Sequence, residues 1–600
     1  MKISHCLGNL KIEKDVEKET NFLLTNQLGD YLIWQTSEKQ PVSRYQGWFV
    51  YLNNDLYKVL ENIETENGPT KEFINNFFNS ERVRENNKEI FLLAKNHHGF
   101  IYQSEQKVSV NLVFDFKKIY ENFEQGRHYE ILEKENCLLI KYCQENSYQL
   151  FLAIKSDAEK TTILKEWFLR EYSLDQERNS WPWQRWIFKG TRLQGVKNIA
   201  FFLSFNEKEA EKGAEMIFKE REKIAKEKQR DIILETFFSE KIQDPEIKMA
   251  YLASQNSLAA LLVKQEKKLG IMAGLPWFFQ LWTRDETISL KALKNLYPKE
   301  TKNILFRLLN SFNQEGRLPV CFDCHFGEKE SADAGGWLFK RVKDFLKEEK
   351  EENNTFFLNQ EELEEIKKKL CQVISALLKN HTNNDFEIVG PQETWMDTLK
   401  RTGAPLEIQA LRLNLYQLAF ELTKKKTYLK LKQKLKRKVR KYFWNKKILA
   451  DKLEDFTLRP NIFLANYIFP ELLSQEEWET CFKHTLEKLW LEWGGISTLD
   501  KINKDFCSFH TGESSQSYHN GDSWFWLNNL TAQVLYNLNP KKFEEYIGKI
   551  LEASTNEILW SGTIGHHSEL SSANNFSSQG CFSQAWSSAL FIETIDKILK

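Results

Sequence analysis

The stretch Gly390–Asn414 reads GPQETWMDTLKRTGAPLEIQALRLN, and the rest of the chain can be placed around it. Gly403 permits a turn, and Pro405 suits the first position of a helix. Leucines then follow at helical spacing, at Leu411, Leu415, Leu418 and Leu422. Because apolar residues also occupy the other faces of this segment, the pattern predicts a helix that is buried nearly all round.

Asp397 precedes this predicted helix and follows Trp395 and Met396. A carboxyl group among aromatic side chains tends to have a raised pKa and can act as a general acid. A loop aspartate can also simply cap a turn, and the segment taken alone favours that role. Asp397 is therefore a candidate acid whose function depends on what the other loops bring to it.

Composition excludes several classes of function. The 600 residues carry 84 Lys and Arg against 84 Asp and Glu, so nucleic acid and anionic membranes are not expected as main partners. Residues 424–441 hold eleven Lys or Arg, but an apolar stripe through Leu431, Leu435 and Val439 predicts the solvated face of a helix instead. The 18 tryptophans fit a protein that binds sugars, because pyranose faces stack on flat aromatic rings.

The cellular setting is also suggested by the sequence. No apolar run reaches the roughly 18 residues that a membrane span needs, and MKISHCLGNLKIEKD lacks the apolar core of a signal peptide. We therefore expect a cytoplasmic protein whose nine scattered cysteines are free thiols. The string Cys321-Phe-Asp-Cys324-His325 matches a haem-attachment motif, but it is short and recurs by chance, so no cofactor is expected.

Three regions differ in character along the chain. Residues 1–205 contain short aromatic and β-branched runs between polar turns, which predict a β-sandwich domain. Residues 206–242 are rich in charged helix formers and predict a helical linker. Residues 243–600 contain twelve predicted helices, and alternate members are expected to form the inner and outer layers of a double ring. The predicted helices are 246–265, 284–296, 300–313, 332–348, 360–379, 405–424, 427–443, 460–472, 475–490, 522–537, 540–556 and 580–598.

Four loops of this helical region share Trp, Gly, acidic residues, and Arg or His. In the first loop, the adjacent Arg284 and Asp285 offer donors and a charged acceptor for neighbouring sugar hydroxyls, or they form an ion pair that caps a helix. In the second, 331–337, Asp333 either caps a helix or meets substrate. The third, 518–526, interleaves aromatic and polar residues as a sugar subsite would, although its tryptophans could equally be core.

The fourth loop, 565–572, carries Glu569, which is the best partner for Asp397. His566 and His567 could bind a metal with Glu569 and either His510 or His519, but the spacing fits no zinc signature, so no metal is expected. The predicted catalytic residues are therefore Asp397 and Glu569. The predicted substrate-binding residues are Trp282, Arg284, Asp285, Asp333, Trp337, Trp395, Glu407, His519, Trp524, Trp526 and His567.

Taken in order, these loops resemble the amylo-α-1,6-glucosidase (glycogen-debranching) family, and the resemblance covers most of the chain. The matching motifs are FLLTNQLGDY and RYQGWFV near the N-terminus, followed by GLPWF, WTRD, SADA, TWMD, PLEIQAL, RPN, YHNG, SEL and QAWS. The resemblance implies an N-terminal β-sandwich on a catalytic (α/α)6 barrel. It also implies that Asp397 is the general acid, that Glu569 is the general base, and that Arg284 and Asp285 hold the terminal glucose.

The sequence departs from that family at three motifs. WTRD stands where the family usually has WGRD and is closer to glucoamylases, YHNG continues as DSWFW, and RPN is followed by Ile462. These departures leave the predicted catalytic pair in place but bear on linkage and chain-length preference. An exo-α-1,4-glucosidase, a trehalase and a catalytically silent glucan-binding protein are therefore alternatives to an inverting amylo-α-1,6-glucosidase with an α-glucan substrate.

Overall fold

The computed structural model describes residues 1–37, 40–66, 68–235, 241–265, 268–322, 324, 329–351 and 357–599. The chain divides into two compact units. The first comprises Met1–Lys268 and Glu557–His566, and the second comprises Leu269–Asn556 and His567–Lys600. The predicted domain boundaries at residues 205 and 243 do not coincide with this division and stay a prediction.

The first unit is built mainly of β-strands. They are β1 (Lys2–Leu7), β2 (Leu10–Asp15), β3 (Asn21–Thr25), β4 (Tyr31–Gln35), β5 (Gly47–Leu52), β6 (Asp55–Thr65), β7 (Glu72–Asn75), β8 (Ser80–Val83), β9 (Lys88–Leu93), β10 (Gly99–Lys118), β11 (Arg127–Glu133), β12 (Leu138–Gln144), β13 (Tyr148–Ser156), β14 (Lys160–Glu171) and β15 (Gln184–Ser204). The sequence predicts strands at 21–25, 45–52, 107–116, 137–143, 148–154 and 197–205, and each of these runs overlaps one of the observed strands.

The strands of the first unit form one branched, mostly antiparallel sheet. One path runs β2-β1-β7-β8-β9-β10-β6-β5-β4-β3 and ends on the parallel strand Thr563–Ile564. The long strand β15 pairs with β10, β13 and β14, and β12 joins β11 to β13. Strands such as β4 and β5 are almost wholly buried, and their aromatic side chains contribute to the core. Phe100, for example, stacks on Phe201 at 5.3 Å between ring centroids.

Three helices also belong to the first unit, namely α1 (Ser173–Glu177), α2 (Glu207–Glu235) and α3 (Pro245–Ala260). The segment predicted as a linker helix is α2, and it packs against β10, β13 and β15. Ala210, Ala214 and Ile217 on α2 join a buried cluster with sheet residues that include Phe202. Most of α2 is therefore an integral part of this unit.

The rest of the chain is largely helical. The helices are α4 (Thr283–Leu296), α5 (Pro298–Asn310), α6 (Ala334–Glu351), α7 (Gln360–Asn380), α8 (Leu406–Thr423), α9 (Lys426–Phe443), α10 (Asn461–Ile468), α11 (Gln475–Leu489), α12 (Phe525–Leu538), α13 (Glu544–Trp560) and α14 (Ala585–Ile598). The twelve predicted helices correspond to α3–α14. The helix α8 is buried along most of its length, as its apolar pattern predicts, with Pro405 as its N-cap.

Six of these helices contact one another in a closed series. Along it, α4 packs on α6, α6 on α8, α8 on α10, α10 on α12, α12 on α14, and α14 again on α4. The helices α5, α7, α9, α11 and α13 alternate with them along the chain. The predicted exposed face of α9 is present, because Leu435 and Val439 are buried while most of its Lys and Arg residues are at least partly exposed.

Pairs of short strands hold the loops between helices in fixed positions. In the second unit, Leu281–Trp282 pairs with Cys321–Phe322, Gly274–Leu275 pairs with Ser583–Gln584, and Leu318–Pro319 pairs with Glu330–Ser331. Ser523–Trp524 and Ser578–Gln579 both pair with Leu570–Ser571. The other short strands are Leu262–Gln265, Lys268–Ile271, Thr382–Asn383, Phe386–Glu387, Trp490–Leu491 and Gly495–Ile496. These pairings fix the loops in which the sequence places its candidate residues.

Among the described residues, no helix combines the length and the apolar character that crossing a bilayer requires.

Cys321 and Cys324 form a disulfide, so the expectation of free thiols is wrong for this pair, whereas the other seven cysteines are free. The spacing of two intervening residues places the Cα atoms 5.9 Å apart, within the range that a disulfide spans. His325 of the haem-like string lies outside the described residues.

Candidate active site

The second unit contains a cavity of about 470 Å³, which is within the size range of small-molecule sites. Its wall is formed by Ala273, Phe278, Trp282, Arg284, Asp285, Trp395, Asp397, Thr398, Gly512, Glu513, Ser515, Tyr518, Trp524, Glu569, Gln584 and Trp586. Both predicted catalytic carboxyls are on this wall, together with five of the predicted substrate-binding residues. The two carboxyls come from segments far apart in the sequence, so the fold brings them into one cavity.

Helix N-termini supply much of the cavity wall. Arg284 and Asp285 lie in the first turn of α4, Trp524 is the N-cap of α12, and Gln584 is the N-cap of α14. The first turn of a helix presents unpaired N–H groups and favours negative charge, so a carboxylate such as Asp285 is stabilised there. The strand pairs described above hold each of these N-termini in place.

Arg284 links two acidic residues inside the site. Its Nε atom lies 3.0 and 2.9 Å from the two carboxylate oxygens of Asp333, and its Nη1 donates to Asp397 Oδ2 at 3.2 Å. Asp333 is 1% exposed and also accepts a hydrogen bond from the Ser331 hydroxyl at 2.7 Å. Asp333 therefore lies behind Arg284 and positions it, and the guanidinium faces both the cavity and Asp397.

Asp397 combines access to the cavity with a raised pKa. Its side chain is 41% exposed, and it lines the cavity beside Trp395. Desolvation by the surrounding wall raises its pKa above the ordinary value, although the Arg284 guanidinium acts in the opposite direction. Because desolvation is the larger effect, Asp397 holds its proton to a higher pH than a free aspartate does. This is the property required of a carboxyl that donates a proton.

Glu569 is held firmly on the wall of the same cavity. Its side chain is 3% exposed, and its Oε2 accepts a hydrogen bond from the Cys581 N–H at 2.9 Å. A Cβ atom on Gly580, whose φ is +69°, would lie 2.4 Å from Glu569 Oε2. Gly580 is thus required both by the backbone conformation and by the close approach of the carboxylate.

Asp285 is the second acidic group beside the cavity with a shifted pKa. Gln584 Nε2 donates to Asp285 Oδ1 at 2.9 Å, which orients the carboxyl. Burial raises the pKa of Asp285 to about 7, even though Arg284 and Gln584 favour its charged form. Asp285 can therefore gain or lose its charge near neutral pH.

We expect Asp285→Asn to change how stability depends on pH. Between the ordinary aspartate pKa of about 3.9 and the folded-state value of about 7, the folded protein retains a proton that the unfolded chain has released. The free energy of unfolding of the wild type should therefore fall through this window relative to the variant, by at most about 1.4 kcal/mol per pH unit, and the difference should level off above it.

Denaturant unfolding of both proteins across this pH range measures the effect. Asp505→Asn, at an exposed position, is the matched control. A constant difference between wild type and Asp285→Asn over the whole range would contradict the assignment.

Tryptophans form a connected wall behind the cavity. Trp395 meets Trp524 and Trp526 edge-on, at 5.8 and 5.3 Å between ring centroids, and Trp526 stacks on Trp586 at 4.8 Å. Trp526 itself is fully buried and does not line the cavity, and Trp337 packs behind it at 6.4 Å. These two tryptophans support the rings that line the cavity, and their predicted contact with substrate stays a prediction.

His519 is fully buried next to the cavity and is not part of its wall. Its ring stacks on Trp524 at 5.1 Å between ring centroids, and its Nδ1 lies 2.7 Å from the Thr398 hydroxyl, which does line the cavity. Burial lowers the pKa of His519 well below its ordinary value, with Arg459 adding to the effect. The imidazole is therefore neutral, and it positions Thr398, the residue that follows Asp397.

Two other predicted contacts lie away from the cavity wall. Glu407 is bound through both carboxylate oxygens by Arg401, at 2.7 and 3.1 Å, and Arg401 also pairs with Asp451 at 2.9 Å. This buried network fixes the segment between Asp397 and α8. His567 is fully buried, with Nε2 3.1 Å from Asn529 Nδ2, and it does not face the cavity.

A cluster of possible metal ligands lies elsewhere in the described part of the chain. The ligand atoms of Glu315, Glu330 and His381 all lie within 4.8 Å of one another. None of these residues lines the cavity. The cluster does not include the histidines near Glu569 that the sequence considered as ligands, so nothing in this geometry ties a metal to the candidate site.

Several residues of the wall were not predicted from the sequence. They are Ala273, Phe278, Thr398, Gly512, Glu513, Ser515, Tyr518, Gln584 and Trp586. Gln584 and Trp586 could have been found from the sequence, because they lie in the QAWS motif within the predicted helix 580–598. The 512–515 segment carries no such signal, since it is a short polar loop brought to the cavity by tertiary structure alone.

Comparison with known proteins agrees with this arrangement. A model of the family described as amylo-alpha-1,6-glucosidase matches residues 249–593. No curated protein matches the chain. Among solved structures, a bacterial glucoamylase complexed with acarbose aligns with a TM-score of 0.60 and 10% sequence identity, over 99% of this chain and 97% of that chain. The likeness to the glucoamylase shows a shared fold. Because the family match extends over more than half of the sequence, this chain belongs to the amylo-alpha-1,6-glucosidase family of glycoside hydrolases.

Proposed function

We propose that this protein removes α-1,6-linked glucose from the branch points of α-glucans, with inversion of configuration at the anomeric carbon. The observation that carries the proposal is the presence of Asp397 and Glu569 on the wall of one cavity, beside Arg284 and Asp285. In this proposal the closed series of helices is the inner layer of an (α/α)6 barrel, and the strand-rich unit is a β-sandwich. The proposed setting is the cytoplasm, with no metal or organic cofactor.

Asp397 is the general acid in this mechanism. Hydrolysis needs a proton on the bridging oxygen as the bond from that oxygen to the anomeric carbon breaks. The raised pKa of Asp397 supports this role, because the carboxyl must be protonated before the reaction begins. Arg284, which donates to Asp397 at 3.2 Å, then stabilises the carboxylate that forms when the proton has left.

Glu569 is the general base. It takes a proton from a water molecule, and the oxygen of that water forms the new bond to the anomeric carbon from the face opposite the leaving group. The hydrogen bond from the Cys581 N–H favours the ionised carboxylate that this step requires. An inverting pair needs room for the water, so we expect a separation of about 6.5–9.5 Å between the carboxyls in the substrate complex.

The remaining residues of the wall bind the sugar. Arg284 and Asp285 provide a donor and an acceptor for hydroxyls of the terminal glucose, and Gln584 holds Asp285 in place. Trp282, Trp395 and Trp524 offer aromatic surface to pyranose rings. The bacterial glucoamylase with the same fold was solved with acarbose, an oligosaccharide analogue, which supports a glucan as substrate here.

A panel of substrates tests the proposed linkage. We expect kcat/KM for a short maltooligosaccharide with a single α-1,6-linked glucosyl branch to exceed that for maltose and for trehalose by about tenfold or more, since differential transition-state binding sets such ratios. Released glucose is measured, with Asp397→Asn as the background control. Preference for maltose would indicate an exo-α-1,4-glucosidase, and preference for trehalose a trehalase. Release of glucose from none of them would indicate a glucan-binding protein.

A further inference from the structure

Five large apolar residues are exposed together on the first unit, far along the sequence from the residues of the cavity. They are Trp167, Leu169, Trp181, Trp183 and Trp186, here called the ribbon patch. The exposed fractions of the four tryptophans are 41%, 71%, 38% and 49% in chain order. Among the described residues these are the most exposed tryptophans, and they fall within a single stretch of 20 residues. Exposed apolar clusters of this kind mark binding surfaces.

The strand register places three of these side chains on one face. In the β14–β15 ribbon, Trp167 pairs with Phe188 and Leu169 pairs with Trp186. Since side chains alternate along a strand, Trp167, Leu169 and Trp186 share a face. Arg170, Arg185 and Ile187, which flank Leu169 and Trp186 in the two strands, point to the opposite face and are buried. Trp181 and Trp183 lie in the segment that joins the two strands.

A buried arginine holds that connecting loop rigidly. The Arg44 guanidinium donates to the carbonyl oxygens of Ser180 and Pro182 at 2.6 and 3.3 Å, and to the Ser180 hydroxyl at 2.9 Å. Asp175, which is fully buried, accepts from the Arg44 backbone N–H at 2.8 Å and receives a hydrogen bond from Ser180 to its backbone oxygen at 2.7 Å. Trp181 and Trp183 flank Pro182 and are therefore presented on a fixed backbone.

A second arginine supports the other end of the ribbon patch. The Arg127 guanidinium lies 5.0 Å from the ring centroid of Trp167 and donates to the Trp186 carbonyl oxygen at 2.5 Å. Asp115, which is fully buried, accepts from Arg127 at 2.9 Å and fixes its position. Buried ion pairs thus hold an exposed aromatic surface in place, so little conformational freedom would be lost when a ligand binds there.

Polar groups beside the tryptophans match a sugar better than a charged partner. Gln184 and Glu171 pair across the ribbon on the same face as Trp186, and Gln184 Nε2 donates to Glu171 Oε1 at 2.9 Å. Both side chains are exposed and offer donors and acceptors next to a flat ring. Lys165 and Glu166 on β14 balance in charge, which fits neither an anionic membrane nor a nucleic acid.

We propose that the ribbon patch is a second glucan-binding surface, on which glucose units of a long, uncharged α-glucan stack against Trp181 and Trp186. This inference rests on the proposed function for the class of polymer. The C–H groups on a pyranose face are attracted to the negative face of an indole ring. A polymer bound at two surfaces dissociates more slowly than one bound at either alone, so further chain ends stay near the enzyme.

The test compares the wild type with the double variant Trp181→Ala/Trp186→Ala by native gel electrophoresis in gels that contain glycogen. We expect the apparent Kd for glycogen to rise by about tenfold or more in the double variant, as is usual when aromatic anchors are truncated. The kcat/KM for the short branched oligosaccharide should stay within about twofold of the wild-type value, because that substrate needs only the cavity. Tyr442→Ala, which removes an exposed aromatic ring from α9, is the matched control and should change neither quantity.

The outcomes separate this inference from the proposed activity. Retardation by glycogen requires no hydrolysis, so loss of retardation in the double variant supports the patch even if no substrate is cleaved. Equal retardation of wild type and double variant overturns it, whatever the activity. A change in molar mass by light scattering with unchanged retardation also overturns it, because the patch would then be an interface between copies of the chain. Equal thermal unfolding midpoints for the two proteins show that the double variant is folded.

Discussion

Asp397→Asn is expected to lower kcat on the branched oligosaccharide by about 10²–10⁴, the usual contribution of general acid catalysis. Asparagine keeps the shape of the side chain and can still accept the hydrogen bond from Arg284, but it has no proton to give to the bridging oxygen. The fold should be preserved, since the side chain is partly exposed to the cavity and its neighbours are held by other contacts. Initial rates of glucose release measure the effect.

The leaving group distinguishes acid catalysis from positioning. In α-glucosyl fluoride the leaving group is a fluoride ion, which departs without being protonated. Asp397→Asn should therefore lose much less activity on this substrate than on the oligosaccharide. The exposed control Asp505→Asn should behave as the wild type on both. Equal losses on the two substrates would show that Asp397 positions the sugar or Arg284 and does not donate the proton.

Local pattern was sufficient to predict the elements that carry the site. Leucine spacing after Pro405 predicts the buried helix α8, and the twelve predicted helices correspond to α3–α14. Asp397 and Glu569 could be paired because each lies in a loop of distinctive composition, and each motif resembles the same family. The closed series of helices then brings these loops to one cavity, which the spacing of residues in the sequence does not itself encode.

Side-chain partners could not be predicted in the same way. Glu407 lies in the first turn of α8, where a substrate contact was reasonable, but Arg401 binds both of its oxygens. His519 belongs to the YHNG motif, yet its ring is turned toward Thr398 and Trp524. Arg401 and Glu407 are only six residues apart, but their pairing depends on how the intervening turn folds, and Thr398 and His519 are 121 residues apart. Glu513 reaches the cavity by tertiary structure alone.

Glu569→Gln is expected to reduce kcat by about 10²–10⁴ on the oligosaccharide and by a similar factor on α-glucosyl fluoride. Both substrates need an activated water, so a good leaving group cannot compensate for loss of the base. This pattern is the opposite of that expected for Asp397→Asn, and the two variants together assign the two roles. The exposed Glu552→Gln is the control for the charge change.

Gly580→Ala tests the same group by displacing it instead of neutralising it. The added Cβ would lie 2.4 Å from Glu569 Oε2, so the carboxylate or the backbone must move. Because small misplacements of reacting groups can cost about 10²-fold in rate, we expect a large fall in kcat with the carboxylate still present. A Gly580→Ala protein that is folded and as active as the wild type would remove the geometric basis for Glu569 as the base.

The configuration of the first product decides between a base and a nucleophile. If Glu569 activates a water on the face opposite the leaving group, proton NMR of fresh product should show β-glucose before mutarotation sets in. A nucleophilic Glu569 would form a covalent glucosyl intermediate, and a second inversion would then release α-glucose. The hydrogen bond from the Cys581 N–H to Oε2 favours an ionised carboxylate, which a base and a nucleophile both require, so this contact suits both chemistries. The anomer is therefore the decisive measurement, and α-glucose as the initial product would refute the inverting mechanism even if the substrate were correctly assigned.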